Sequence, residues 1–181
     1  AADLLAQAEH GTDSQSIMVT TDKNMIPKVE EELSLQLGQL PRKDIAKEAL
    51  KNSALIFVEN LATALELSNE YAPEHLILAT EAAQEVAERV INAGSVFIGH
   101  YTPESAGDYA SGTNHTLPTY GYAKMYSGVG LDSFMKKITY QKITKNGIQT
   151  LGPYIETMAE NELLEAHKNA VTVRLKKLNQ K

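Results

Sequence analysis

The sequence predicts an α/β fold, an incomplete doubly wound (Rossmann-like) parallel sheet. Two patterns support this prediction. Four short apolar runs recur within the first hundred residues, and amphipathic helical spacing fills the segments between them. Apolar strands that alternate with helices indicate βαβ units, whose parallel sheet is covered on both faces. Because such crossovers are right-handed, few topologies remain.

The individual elements follow from the same patterns. Pro27 is compatible with a helix because it falls in the first turn, and Pro41 separates that helix from the next, which runs to about Lys51. Strands are expected at residues 16–20, 54–58, 76–79 and 95–98. Further helices are expected at residues 1–9, 24–37, 60–71 and 81–92.

The pattern changes at Leu131. Residues 138–144 alternate like an exposed strand, and residues 151–178 have the spacing of two helices broken near Asn161. Too few apolar residues remain there to form an independent core. We therefore expect residues 1–130 to be part of an α/β catalytic domain and residues 131–181 to be a C-terminal helical tail that packs on a partner.

Composition argues against several classes of protein. A formal charge of -6 and a pI near 5.4 argue against nucleic-acid binding, which usually needs a basic face. The sequence has no cysteine, so a metal site would use imidazole, carboxylate and amide oxygen, which favours Zn²⁺ or Mn²⁺. No apolar run approaches the roughly 18 residues of a membrane span, and no signal-peptide pattern is seen, so a cytoplasmic protein is expected.

Two features bear on the extent of the protein and on its cofactors. The opening residues already have the pattern of a helix interior, without an initiator Met or an N-cap, so we expect the chain to be a piece of something longer. The pair Gly128 and Gly130 lacks the third glycine of a dinucleotide fingerprint and follows no predicted strand. No cofactor-binding residue is predicted in this chain.

Residues 104–122 have neither helical nor strand periodicity, yet they contain Asp108, His115 and three glycines. A loop of this length in a compact chain is usually disordered or functional. Its tyrosines, with Leu117, carry too much apolar surface for a solvated tract. A functional loop is one interpretation, and an ordered surface loop without chemistry is the other.

Two pairs of polar residues are candidate ligands or catalysts. Gln7 and His10 lie three positions apart on the opening helix, where both could bind one metal ion or could simply face solvent. Glu74 and His75 directly precede a predicted strand and would supply two proton acceptors with separately tuned pKa values. The alternative is a surface glutamate beside a histidine that caps the core.

The remaining titratable candidates give weaker patterns. Glu162 and His167 lie five positions apart in the tail, so they share a helical face only in part. His100 has no acid beside it and is expected to face solvent.

Several blocks of the sequence, in one order along nearly the whole chain, resemble the histidinol dehydrogenase family. They are residues 3–11, 71–76, 94–97 and 103–121, followed by Glu162 and residues 166–171. The resemblance implies oxidation of L-histidinol through L-histidinal to L-histidine with two NAD⁺. It also implies that this chain corresponds to the C-terminal part of longer proteins, whose N-terminal half holds the nucleotide-binding domain.

The resemblance also implies roles for eight residues, all of which surround the substrate. The expected zinc ligands are Gln7, His10, Asp108 and His167. Glu74 and His75 are the expected acid/base residues, with His75 as the base for both oxidations and Glu74 activating water. His115 and Glu162 are expected to contact the substrate.

Further expectations concern assembly. In a homodimer of this family the tail crosses to the neighbouring subunit, so Glu162, His167 and His115 would serve the partner's site. The isolated piece would be inactive, because the nucleotide site and one side of the cleft are missing. Two alternatives remain, a metal-dependent hydrolase with Glu74 as base and a non-catalytic metal-binding dimerisation module.

Overall fold

A computed structural model describes residues 1–180, so Lys181, the last residue of the predicted tail, lies outside the described residues. The chain divides into two compact units, Ala1–Met135 and Lys136–Lys181. The first is called the α/β unit below and the second the tail unit. None of the helices described in residues 1–180 is both long and apolar enough to cross a membrane.

The α/β unit contains four short strands, all in parallel pairs. Strand β1 (Ile17–Thr20) pairs with β2 (Ala54–Phe57), and β3 (His75–Leu78) pairs with β4 (Ser95–Ile98). The two pairs are separate two-stranded sheets, each with a helical connection between its strands. The predicted α/β class with parallel strands is confirmed, and each strand lies within one residue of its predicted bounds.

Six α-helices accompany these strands, with two short 3-10 helices at Tyr122–Lys124 and Leu131–Phe134. The α-helices are α1 (Ala2–Ala8), α2 (Met25–Leu37), α3 (Lys43–Leu50), α4 (Leu61–Tyr71), α5 (Ala83–Ala87) and α6 (Glu104–Tyr109). Helix α4 begins where predicted because the Asn60 side chain accepts the N–H of Thr63 at 2.9 Å, an N-cap. Apolar side chains of α4 and α5, including Leu65 and Val86, form the main core with Leu78 of β3.

Helix α5 is shorter than the predicted helix over residues 81–92. Just after the helix, the N–H groups of Arg89 and Val90 bond three residues back, to the carbonyls of Val86 and Ala87, as in a tightened final turn. The side-chain oxygen of Asn69 on α4 then accepts the N–H groups of Ile91 and Asn92, at 2.8 and 3.3 Å. These bonds hold the chain out of the helix, and the periodicity of α5 alone does not reveal them.

The prediction that residues 104–122 lack regular structure is wrong at its start, where α6 lies. Six residues are too few to display a helical period, and Gly107 in the middle disfavours a helix on propensity. That glycine is buried against Phe97, whose ring would lie 2.8 Å from an added Cβ. Packing of α6 on β4 therefore stabilises a helix that local sequence does not favour.

The tail unit is a helical hairpin of α7 (Lys145–Asn161) and α8 (Glu165–Asn179). The predicted break near Asn161 is confirmed, and the chain reverses through Leu163 in the left-handed region, with φ of 60°. Helix α7 begins earlier than predicted because the Thr144 side chain accepts the N–H of Gly147 at 3.1 Å. The predicted strand at residues 138–144 is wrong, because this exposed segment pairs with no other part of the described chain.

Candidate active site

One cavity of about 290 Å³ in the α/β unit collects six of the eight residues singled out in the sequence. It is lined by Gln7, His10, Glu74, His75, Glu104, Asp108 and His115. All but Glu104 are predicted site residues. The cavity thus joins side chains from the start, the middle and the long loop of the unit.

The turn between α4 and β3 positions Glu74 and His75. Helix α4 ends at Tyr71, and the next residue, Ala72, is its buried C-cap in the left-handed region, with φ of 53°. Pro73 follows, and its carbonyl accepts the N–H of Gly94 at 2.9 Å. The Glu74 carbonyl accepts the N–H of Ser95 at 2.9 Å, which ties the turn to the start of β4. The pair therefore lies at the amino end of β3, although sites in open α/β sheets usually lie at the carboxyl end.

Position 94 requires glycine because the backbone at Glu74 passes very close to it. A Cβ at this position would lie 2.5 Å from the Glu74 carbonyl oxygen and 3.2 Å from the Leu117 Cβ. The two backbone segments can therefore meet only when residue 94 has no side chain. The position of Glu74 depends on that contact.

Helix α6 supplies two carboxylates to the cavity. Glu104 in its first turn is 6% exposed, and Asp108 one turn later is half-buried. A ligand atom from each of these residues and one from His10 lie within 4.8 Å of one another. One imidazole and two carboxylates therefore converge on a small volume.

Gln7 reaches the cavity from helix α1, whereas His10 reaches it from the segment just after that helix. Helix α1 ends at Ala8, so His10 lies two residues beyond it and not on the helix as predicted. Its carbonyl accepts a hydrogen bond from the Arg42 guanidinium at 3.3 Å, which fixes the chain as it leaves the helix. His115 lies in the loop after α6 and is exposed.

Sequence and structure comparisons identify the family. The family model for histidinol dehydrogenase matches residues 1–175. This chain belongs to the histidinol dehydrogenase family. The chain is 65% identical over 178 residues to histidinol dehydrogenase of Bacteroides thetaiotaomicron, which covers 98% of this chain and 42% of that protein.

More distant members of the histidinol dehydrogenase family show the same pattern of coverage. The chloroplastic enzyme of Arabidopsis thaliana is 54% identical, with 100% of this chain and 39% of that protein covered. The crystal structure of histidinol dehydrogenase from Elizabethkingia anophelis matches with a TM-score of 0.92 at 60% identity. That match covers 98% of this chain and 41% of the other, so the chain spans about two fifths of the length of its relatives.

Burial changes the pKa of three groups in the cavity of this histidinol dehydrogenase family member. It raises the pKa of the Glu74 carboxyl, an effect that the neighbouring His75 partly opposes. It lowers the pKa of His75, which favours the neutral imidazole, and here Glu74 is the opposing influence. Burial also raises the pKa of Glu104, and the nearby Asp108 carboxylate adds to this change.

Glu104 is the cavity residue that sequence reasoning missed. Its Oε1 lies 3.7 Å from the His75 Nε2, and neither atom has a hydrogen-bond partner within residues 1–180. The one available signal was the spacing of Glu104 and Asp108, four positions apart, which places both carboxylates on one helical face. That signal has meaning only once the segment is known to be helical.

The other two predicted site residues lie in the tail unit of this family member. Glu162 follows the last residue of α7, and His167 lies in the first turn of α8. Both are exposed. His100, which was excluded on sequence grounds, is exposed as well.

Proposed function

We propose that the complete enzyme containing this chain oxidises L-histidinol through L-histidinal to L-histidine, using two NAD⁺, as a step of histidine biosynthesis. The observation that supports the proposal most directly is the convergence of Glu74, His75, His10 and Asp108 on one cavity. Membership of the histidinol dehydrogenase family supplies the substrate.

His75 acts as the base of both oxidations in this proposal. In the first, its neutral imidazole takes the hydroxyl proton of the alcohol while hydride leaves the carbinol carbon for NAD⁺. In the second, it takes a hydroxyl proton of the hydrated aldehyde while the second hydride leaves. The lowered pKa of His75 supports this role, since a proton acceptor must be unprotonated at the start of each step.

Glu74 activates water between the two oxidations. Its carboxylate removes a proton from water as the water oxygen attacks the aldehyde carbon. The aldehyde oxygen takes the proton that His75 acquired in the first oxidation, which gives the hydrated aldehyde and returns His75 to its neutral form. The raised pKa of Glu74 supports this role, because a more basic carboxylate is a better proton acceptor. Adjacent positions in one rigid turn let the two residues act on the same carbon.

The cavity suits a divalent cation, which we propose to be Zn²⁺, with Mn²⁺ as the other candidate. Gln7, His10, Asp108 and His167 are the proposed ligands. The convergence of His10, Asp108 and Glu104 within 4.8 Å fits such an ion. Burial, and after it the nearby Asp108 carboxylate, raise the pKa of Glu104, and a cation at this point would offset both effects. When bound, the ion would supply a Lewis-acidic centre that orients the imidazole and amine nitrogens of the substrate.

We propose a homodimer in which the tail unit of one copy completes the site of the other with His167 and Glu162, and His115 contacts the substrate across the same boundary. Large apolar side chains exposed on the tail unit support this assembly, among them Tyr154 and Met158, which are 68% and 65% exposed. NAD⁺ would bind mainly to the part of the enzyme outside this chain, since no dinucleotide fingerprint occurs here.

NADH formation from L-histidinol by the complete purified protein tests the proposal. We expect two NADH per L-histidinol and L-histidine as the product. The hydrolase and the non-catalytic module have no observation in their favour, and both predict no NADH. Ester or amide cleavage without NADH would establish the hydrolase, and zinc uptake with dimerisation but no turnover would establish the module.

A further inference from the structure

Glu104 is buried in the cavity wall, and its Oε1 forms no hydrogen bond there. Its side chain is 8% exposed, and its Oε1 is turned toward the His75 Nε2 at 3.7 Å. A buried carboxylate oxygen without a hydrogen bond is destabilising unless the working site supplies a partner. Both Oε1 and the facing Nε2 lack a hydrogen-bond partner in the described part of the chain. Asp108 is the other close polar neighbour of Glu104, but two carboxylates repel each other, whereas an imidazole N–H can donate to Oε1.

The His75 ring lies between an aromatic side chain and the Glu104 carboxylate. The Phe97 ring lies 5.8 Å from it, centroid to centroid, and inclined at 46°. Gly107 in turn packs against Phe97, which fixes α6 and the Glu104 backbone relative to the same ring. An apolar wall and a carboxylate thus bound the imidazole, and a movement of less than about 1 Å would bring Oε1 to hydrogen-bond distance. Contacts of this kind often tighten only when substrate is bound.

We propose that Glu104 is a positioning residue for His75 in the oxidation described above, and that it accepts a hydrogen bond from the His75 Nε2–H. This inference rests on the proposed function. The bond fixes the tautomer in which Nε2 carries the proton, so Nδ1 keeps the lone pair that accepts the substrate proton. When that proton arrives, the Glu104 carboxylate stabilises the resulting imidazolium, as the buried aspartate of a serine hydrolase triad does.

A metal ligand role for Glu104 is the competing interpretation, because the residue also lies near His10 and Asp108. The two roles predict different losses. A ligand substitution releases the ion, whereas loss of a positioning residue lowers kcat while metal content and KM stay close to those of the parent.

The test compares Glu104→Gln and Glu104→Leu in the complete enzyme with Glu66→Gln, a matched change of an exposed glutamate on α4. We expect kcat to fall about 10- to 100-fold in both Glu104 variants, less in Gln because its carbonyl oxygen can still accept the bond. Zinc content by elemental analysis and KM should change less than twofold. Loss of zinc, equal activity in parent and variants, or a KM effect alone would overturn the proposal.

A readout without turnover separates this inference from the proposed function. Nitrogen-15 NMR of the histidine-labelled enzyme reports the ring tautomer, and a His75→Asn spectrum assigns the His75 signals. We expect the Nε2–H tautomer in the parent and shifted His75 signals in both Glu104 variants, with Gln as the isosteric variant if Leu fails to fold. Unchanged His75 signals would overturn the inference, whereas absence of NADH formation in the parent would overturn the proposed function alone.

Discussion

The α/β unit and the tail unit contribute candidate site residues in different ways. In the α/β unit, four segments hold their side chains around one cavity through backbone hydrogen bonds and close packing. In the tail unit, Glu162 and His167 are exposed, and α7 buries only Gly152 and Ala159 while α8 buries no residue. The first unit therefore assembles its candidate residues through its own fold, whereas the second leaves its candidate residues exposed.

The largest expected effect comes from His75, the proposed proton acceptor of the α/β unit. His75→Asn in the complete enzyme should lower kcat for NADH formation by about 100- to 10,000-fold, the usual loss for a general base. His100→Asn changes an exposed histidine of the same unit and is the matched control. Equal activity of the two variants would show that the organised cavity is not the catalytic site.

The second prediction asks whether the tail supplies a metal ligand. His10→Asn and His167→Asn should each weaken zinc retention by at least about 100-fold, since loss of an outer-shell partner alone costs about 10- to 100-fold. The measurement is the zinc content after dialysis against a graded series of chelator concentrations, with His100→Asn as the control. If His167→Asn retained zinc like the parent while His10→Asn lost it, the α/β unit alone would hold the ion.

The third prediction concerns the backbone contact beneath Glu74. Gly94→Ala places a Cβ 2.5 Å from the Glu74 carbonyl oxygen, so we expect the free energy of unfolding to fall by about 1–3 kcal/mol. Activity should fall as well, because Glu74 and His75 move with that turn. Urea denaturation and NADH formation measure the two effects.

Gly38→Ala is the control for this change. Residue 38 has a φ of -61°, and an added Cβ would meet only carbonyl oxygens at ordinary contact distances. We expect it to be neutral or to stabilise by up to about 1 kcal/mol. Equal stability of the two variants would mean that the turn tolerates displacement and does not fix the site.

Much of the α/β unit was predictable because its signals are local. The strands follow from apolar runs, and Asn60 is a visible N-cap. The shortened α5 depends on Asn69, which is distant in sequence, and α6 depends on Phe97 beneath Gly107. Each of these contacts is created by the fold and joins different elements, so the periodicity of a single element does not predict it.

The candidate site likewise contains residues that the sequence reveals and one that only the fold reveals. Glu74 and His75 are adjacent titratable groups and stand out in the sequence, and so does the pair Gln7 and His10. Glu104 is spaced four positions from Asp108, but that spacing has meaning only on a helix that the sequence does not predict. Glu104 becomes significant when β3 and α6 bring it to His75. The tail strand was predicted from alternation alone, and alternation produces no strand where the described chain offers no partner edge.

The smallest expected effects are the losses of stability when one helix N-cap is removed from each unit. Asn60 caps α4 and Thr144 caps α7, each by accepting a backbone N–H, so Asn60→Ala and Thr144→Ala should each cost about 1 kcal/mol. Because the tail unit buries so few apolar side chains of its own, we expect both variants of the complete enzyme to shift one shared unfolding transition in differential scanning calorimetry. Asp22→Ala is the control for these two changes. It also removes a side-chain oxygen that accepts a backbone N–H, that of Asn24, but it lies in an exposed turn outside both helices. A separate transition that moves only with Thr144→Ala would mean that the tail hairpin is stable by itself. Its exposed apolar side chains would then no longer support the proposed homodimer.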